Sequence, residues 1–253
     1  SELEKQLVLD AIKSDKVRPL GNQLTISEYD VRASERIVGQ MGVGPFVRAL
    51  EGGADVIIAG RSCDTAIFAS MAAMKGFDLG LAYHMAKIIE CGAQCAIPTG
   101  TNDSIMATLY EDYFELEPMN PLRSLTPTSV AAHMLYEQPD PYIFHEPEGI
   151  VDLHGSNIEM TTEGRIRVEG SKFEVSTNPT IKLEAARLVG YRTITVAGIA
   201  DPILIDHLEE VKQGVRETVD AMLRGADVNR YELRFTTYGI DGVLMASDSS
   251  RNC

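Results

Sequence analysis

The run from Ala54 to Gly60, ADVIIAG, constrains this chain more than any other stretch. Val56, Ile57 and Ile58 are consecutive, so their side chains point to both faces of any strand they form. That pattern is expected of a strand covered on both sides, as in a parallel sheet. Gly60 ends the run, Arg61-Ser62-Cys63-Asp64 is a polar turn, and Thr65 to Met74 is apolar enough for a buried helix. Strand, glycine, turn and helix in that order make a βα unit. A further helix is expected through LAYHMAKIIECGAQC, Leu81 to Cys95. The expected fold is α/β, a mostly parallel sheet with flanking helices over residues 1–147, followed by a smaller α+β domain over 148–253.

The boundary is placed where Pro139, Pro141 and Pro147 crowd the chain, too many for a helix or central strand. Just before it, Thr126 as N-cap and Pro127 at the first helical position open a short helix. Beyond it, IVDLHGSNIEM, RIRVEGSKFEV and TIKLEAARLVG open like strands, with Thr162-Glu163-Gly164 as the turn between the first two. YRTITVAG and YELRFTTYG read as strands either side of the long helical pattern DPILIDHLEEVKQGVRETVDAMLRG. Strand, long helix and strand resemble half of a split βαβ sandwich.

Composition narrows the partners. Lys and Arg number 23 against 37 Asp and Glu, a formal net charge of −14. Such a chain lacks the basic field that nucleic acid or an anionic membrane surface requires. No zinc-type pairing joins Cys63, Cys91, Cys95 and Cys253, and no HxH, HExxH or EF-hand spacing marks a metal. Scattered cysteines, no secretory signal and no apolar run of about eighteen residues make cytoplasm the expectation. The opening on Ser1 and the ending on SDSSRNC look like cuts, so a fragment of a longer protein is expected.

Three places hold chemistry-bearing residues. The first is GRSCDTA. A loop that opens a helix offers free backbone N–H groups to an anion, with Gly60, Arg61 and Ser62 as binding residues and Asp64 as acid/base. Arg61 presents the fork that clamps a carboxylate or phosphate; its alternative is an ion pair with a neighbouring acid. The second is the helix face carrying His84, Lys87 and Cys91, with Glu90 beside it. Glu90 and Cys91 are an acid/base or nucleophile pair, or else Lys87 and Glu90 are solvated and Cys91 is core. The third is LYEQPDPYIFHEPEG, where Tyr136, Glu137, Tyr142, His145 and Glu146 crowd a proline-stiffened stretch. Of these, His145 and Glu146 are candidate catalytic groups, and Tyr136 and Glu137 candidate substrate contacts. His133, His154 and His207 read as structural.

ADVIIAGRSCDTAIF, LAYHMAKIIECGAQC, SVAAHMLYEQPDPYIFHEPEG and IKLEAARLVGYRTITVAGIADP, in that order, resemble successive blocks of the acyclic terpene utilisation AtuA family. The family's glycine-rich N-terminal segment is not recognisable. The resemblance implies a context of branched terpenoid degradation through acyl-CoA intermediates. It also implies a two-domain body, with a homo-oligomer or a small partner subunit expected. Its blocks carry Gly60, Arg61, Asp64, Glu90, Cys91, Gly92, Tyr136, Glu137 and Glu146. The function expected is a catabolic enzyme acting on a carboxylate or acyl-CoA by lyase or hydratase chemistry, its cofactor unspecified. The alternatives are a cysteine-dependent hydrolase and a non-catalytic binding or assembly subunit.

Overall fold

The structure is a computed structural model. It describes residues 2–20, 25–100, 103–136, 138, 140–226, 228 and 230–239. Two compact units divide the chain, Ser1–Val189 and Gly190–Cys253. The hairpin of β4 (Ile143–Glu146) and β5 (Gly149–Asp152) spans residue 147, where sequence placed the domain boundary, and both strands belong to the first unit.

In the first unit, α1 (Lys5–Lys13) and α2 (Glu28–Ala33) precede β1 (Ser34–Gln40), and α3 (Gly44–Glu51), α4 (Asp64–Met74) and α5 (Leu79–Ile89) follow. Next come β2 (Ile105–Leu109), β3 (Tyr113–Pro118) and α6 (Pro127–His133). After the β4–β5 hairpin the strands are β6 (Asn157–Met160), β7 (Ile166–Glu169), β8 (Lys172–Val175) and β9 (Lys182–Arg187). They form three sheets, ordered β1-β9, β2-β3-β7-β6 and β4-β5-β8, and every strand pair is antiparallel.

Helix α5 is the pivot of this unit. Gly80 to Ile88 are all buried, because the helix packs on α4 and also touches β2 and β3 of one sheet and β5 and β8 of another. A helix apolar all round needs neighbours on every side. Tyr83, Ile88, Phe114, Leu116 and Ile166 are sealed in the resulting core. A smaller cluster of Val8, Leu9, Val31 and Ile37 lies beneath α1, α2 and β1.

Several local expectations agree with the structure. Thr126 caps α6, accepting from Ser129 N while the Ser129 hydroxyl accepts from Thr126 N, and Pro127 takes the first turn. The β6–β7 turn holds Gly164 at φ +81°, a conformation that costs a side-chain-bearing residue strain. The edge position of β4 fits its proline-rich approach.

The sheet type is a correction. ADVIIAG forms neither helix nor strand, and among the described residues Val56 to Gly60 make no backbone–backbone hydrogen bond. Val56 is 78% exposed and Ile58 95%. Among the described residues the sole parallel pairing is the isolated bridge between Met41 and Ser62. An apolar run reports that a segment tolerates burial on both faces, but a strand also needs a neighbour for its N–H and C=O groups. Here no such neighbour lies alongside. The helix half of the expected βα unit does form, as α4 beginning at Asp64.

In the second unit the long helical pattern is broken at His207 into α7 (Pro202–Asp206) and α8 (Leu208–Gly225). Asp201 caps α7 by accepting from Ile203 N and Leu204 N. The expected strands YRTITVAG and YELRFTTYG are not strands; their described residues carry no ladder. Tyr191, Ile194 and Val196 lie open to solvent for the same reason as Ile58.

Candidate functional site

The turn after ADVIIAG is held by the Met41–Ser62 bridge, in which Met41 N donates to Arg61 O and Cys63 N to Met41 O. The extended backbone there sends alternate side chains to opposite sides. Gly60 and Ser62 line an apolar groove of about 330 Å³ against Phe46, Ile67 and Met71. Arg61, Cys63, Asp64 and Thr65 line a polar cleft of about 230 Å³.

The polar cleft also takes residues from well-separated parts of the chain. Helix α5 supplies Lys87, with Glu90 just beyond it, and β4 supplies Phe144, His145 and Glu146. Gln40 and Lys182 stand opposite one another in the β1–β9 register and both reach the cleft. Of the residues chosen from sequence, Arg61, Asp64, Glu90, His145 and Glu146 therefore share one cavity. Gly60 and Ser62 lie on the other side of the turn, in the apolar groove. Cys91 and Tyr136 are not among the cleft's lining residues. The Tyr136 ring stacks on His133, with centroids 5.8 Å apart, and lies 5.6 Å from the Lys87 ammonium. Glu137 lies outside the described residues.

Electrostatics separate the cleft's groups into two kinds. Arg61 donates from Nε to Glu184 and from Nη1 to Asp64, both at 2.8 Å. The hydrogen bond from Arg61 holds the Glu184 carboxyl below its ordinary range. Lys87 and Glu90, buried at the end of α5, form an ion pair. The expectation that these two would be solvated is thus replaced by a paired charge inside the protein.

Glu146 differs. Its side chain is 2% exposed. Oε1 accepts from the Thr65 hydroxyl at 2.8 Å, whereas Oε2 is buried without a hydrogen-bond partner. Burial pushes its carboxyl above the ordinary value; Lys182 opposes the shift and Glu148 adds to it. Lys182 Nζ is 3.7 Å from Oε2, an ion-pair distance too long for a hydrogen bond. The support continues behind Glu146. Glu148 accepts from the Tyr83 hydroxyl at 2.7 Å and lies against the first turn of α3, 3.5 Å from Gly44 N. A Cβ on Gly42 would lie 1.9 Å from Glu148 Oε1, so only glycine leaves that carboxylate its place.

The Cys63 thiol is a poor nucleophile here. Cys63 is buried and its thiol is pushed up to about 12 by burial, so the thiolate is scarce at neutral pH. His84 is sealed within the core and donates to or accepts from Ser171 Oγ at 2.7 Å through Nδ1. It is not a cleft residue. Among the described residues no cluster of three or more His, Cys, Asp or Glu is arranged to hold a metal ion.

The family model for acyclic terpene utilisation family protein AtuA matches residues 8–111 and 123–253. The chain belongs to this family. The unmatched interval between the two segments covers β3, and every lining residue of the polar cleft falls inside a matched segment. No curated protein and no solved structure matches the chain. Among the described residues of this AtuA-family chain, no helix is long and apolar enough to cross a membrane.

Sequence reading passed over Lys182, Thr65, Gln40 and Glu184. A signal existed for two of them. Lys182 and Glu184 alternate in TIKLEAARLVG, so any strand there would put both on one face. Which cavity that face borders is decided by β9 pairing with β1, a partner 144 residues away where Gln40 meets Glu184.

Proposed function

We propose that this AtuA-family chain is an enzyme of acyclic terpenoid catabolism that carries out lyase- or hydratase-type acid–base chemistry on a carboxylate or acyl thioester. The observation that carries this reading is the Glu146 carboxyl in the cleft lining, anchored through one oxygen by Thr65 and buried without a hydrogen-bond partner on the other. A carboxyl shifted upward by burial is suited to hold and release a proton near working pH. In a hydration, Glu146 gives its proton to the substrate α-carbon while Asp64 accepts one from the water whose oxygen bonds to the β-carbon. Proton count and charge balance across the pair. A hydrolase with Cys63 as its nucleophile is disfavoured by the buried, high-pKa thiol of that residue.

The test is turnover of 3-methylbut-2-enoate and of its N-acetylcysteamine thioester, followed by proton NMR through loss of the vinyl signal. Wild-type protein is expected to hydrate one of them. Glu146→Gln should lose roughly a hundredfold or more in rate, the lower end of what a positioned acid/base contributes. An unchanged rate in that variant would remove Glu146 from the chemistry. No turnover of either probe by wild type would favour the binding or assembly subunit instead.

A further inference from the structure

We propose that Lys182, with the buried Glu146 carboxyl 3.7 Å from its ammonium, binds the carboxylate of a small free acid in the cleft. The proposal rests on the reading of the polar cleft as the substrate site, and it names both the ligand's charged group and the residue that selects it.

The cleft has three cations, and two are occupied. Arg61 is bound by Asp64 and Glu184, and Lys87 by Glu90. Among the described residues, the ion-pair partner of Lys182 is Glu146, at 3.7 Å. Its three N–H donors therefore keep their hydrogen-bonding capacity for something in the cavity. At 3.7 Å from it, Glu146 Oε2 is a buried polar atom without a hydrogen-bond partner among the described residues, a state that costs free energy until a ligand or solvent group satisfies it. Both residues line the cleft.

Charge decides what fills it. Burial, assisted by Glu148, holds Glu146 toward its neutral form. With Glu146 toward neutral, three carboxylates, Asp64, Glu90 and Glu184, stand against three cations, Arg61, Lys87 and Lys182. Paired in that way the cleft is near neutral overall, and a monoanion is the largest charge that one ammonium can answer. A carboxylate accepts a strong charge-assisted hydrogen bond from the ammonium. A phosphate dianion would meet three nearby carboxylates with a single unpaired cation. The cavity of about 230 Å³ limits the ligand to a small acid; at ~30 Å³ per water it has room for about eight water-sized groups.

Register explains why Lys182 is in this position. On β9, Lys182 and Glu184 share a face, and pairing with β1 sets Lys182 opposite Gln40. Gln40 donates to Glu184, which Arg61 also holds. Lys182 is thus carried on a strand fixed from across the cleft, not on a loose loop.

Isothermal titration of the full chain with sodium 3-methylbutanoate, 3-methylbutanamide and inorganic phosphate tests the proposal by binding alone. Wild type is expected to bind the carboxylate saturably, with the amide weaker by roughly tenfold or more and phosphate weaker still. Lys182→Met should weaken carboxylate binding by about tenfold or more, and Lys182→Arg should stay within about threefold. Glu146→Gln keeps an N–H donor at the same place, so it should retain carboxylate binding while losing turnover in the NMR assay. That contrast separates the two readings: binding lost in Lys182→Met but turnover intact in Glu146→Gln would keep the subsite and sink the acid–base role. The subsite is overturned if wild type shows no saturable binding up to about 20 mM acid. It is equally overturned if the amide binds as well as the acid, or if Lys182→Met binds as wild type does. Should Lys182→Met fail to fold, the acid–amide comparison on wild type and Lys182→Arg decides.

Discussion

Glu146 and Arg61 show how differently two charged residues of one cleft behave. Glu146 has a carboxyl raised above its ordinary value of 4.5, with burial as the first cause. A group whose pKa is raised on folding stabilises most below the unfolded value and loses that contribution as pH rises through the folded one. Urea melts at increasing pH above about 4.5 should therefore show wild type losing stability relative to Glu146→Gln. Parallel curves would mean that the carboxyl titrates normally. Cys63, Thr65, Tyr83, Glu148 and Lys182 all face or influence this carboxyl, so the comparison must be made on the single variant. Arg61 is more than a third exposed and shared between two carboxylates. Arg61→Lys keeps the charge and loses the fork, and the expected result is a stability loss of about 1 kcal/mol or less with carboxylate affinity unchanged. Weakened affinity would restore Arg61 as the clamp. Sequence singled out both residues, in two separate stretches of the chain. It could not tell a paired cation from a waiting one, because Glu184 and Lys182 arrive from a strand more than a hundred residues away.

At the scale of elements, α5 was readable and its burial was not. LAYHMAKII is apolar enough to be a core helix, yet one reading of its sequence left Lys87 and Glu90 solvated. The structure surrounds the helix with α4 and two sheets, sealing His84 completely and burying Lys87 against Glu90. Burial drives His84 down from 6.5 to about 3, so the folded protein holds it neutral. A histidine depressed in this way supports folding above its unfolded pKa and loses that support as pH falls from about 6.5 toward 3. In chemical melts, wild type should lose up to about 1.4 kcal/mol per pH unit across that window relative to His84→Gln. A difference that stays constant with pH would show that His84 is already solvated or charged. Helix α6, by contrast, was placed by its own cap, since Thr126, Pro127 and Ser129 act within one turn.

Across the whole molecule, division into Ser1–Val189 and Gly190–Cys253 puts an exposed stretch at the junction, with Leu188, Val189 and Tyr191 all open to solvent. Limited chymotrypsin digestion of the full chain should cut first beside Leu188 or Tyr191, where no ladder protects the backbone. First cleavage within α4 or α5, read by mass spectrometry, would contradict this division. Proline spacing pointed to residue 147 because prolines exclude helices and central strands; they equally suit the approach and turn of an edge hairpin, and that is where β4 and β5 put them. The sequence by itself determined what is local. Caps, the Gly164 turn, the helical start at Asp64 and the strands around residues 150–187 follow from side chains acting within a few positions. It also determined family membership, written in blocks along the chain. Tertiary structure alone decided the sense of strand pairing, the burial of the Lys87–Glu90 pair and the meeting of Glu146 with Lys182. Hydropathy says how much water a segment will forgo, whereas a ladder needs a partner strand and burial of a charge pair needs covering elements, and both come from distant parts of the chain.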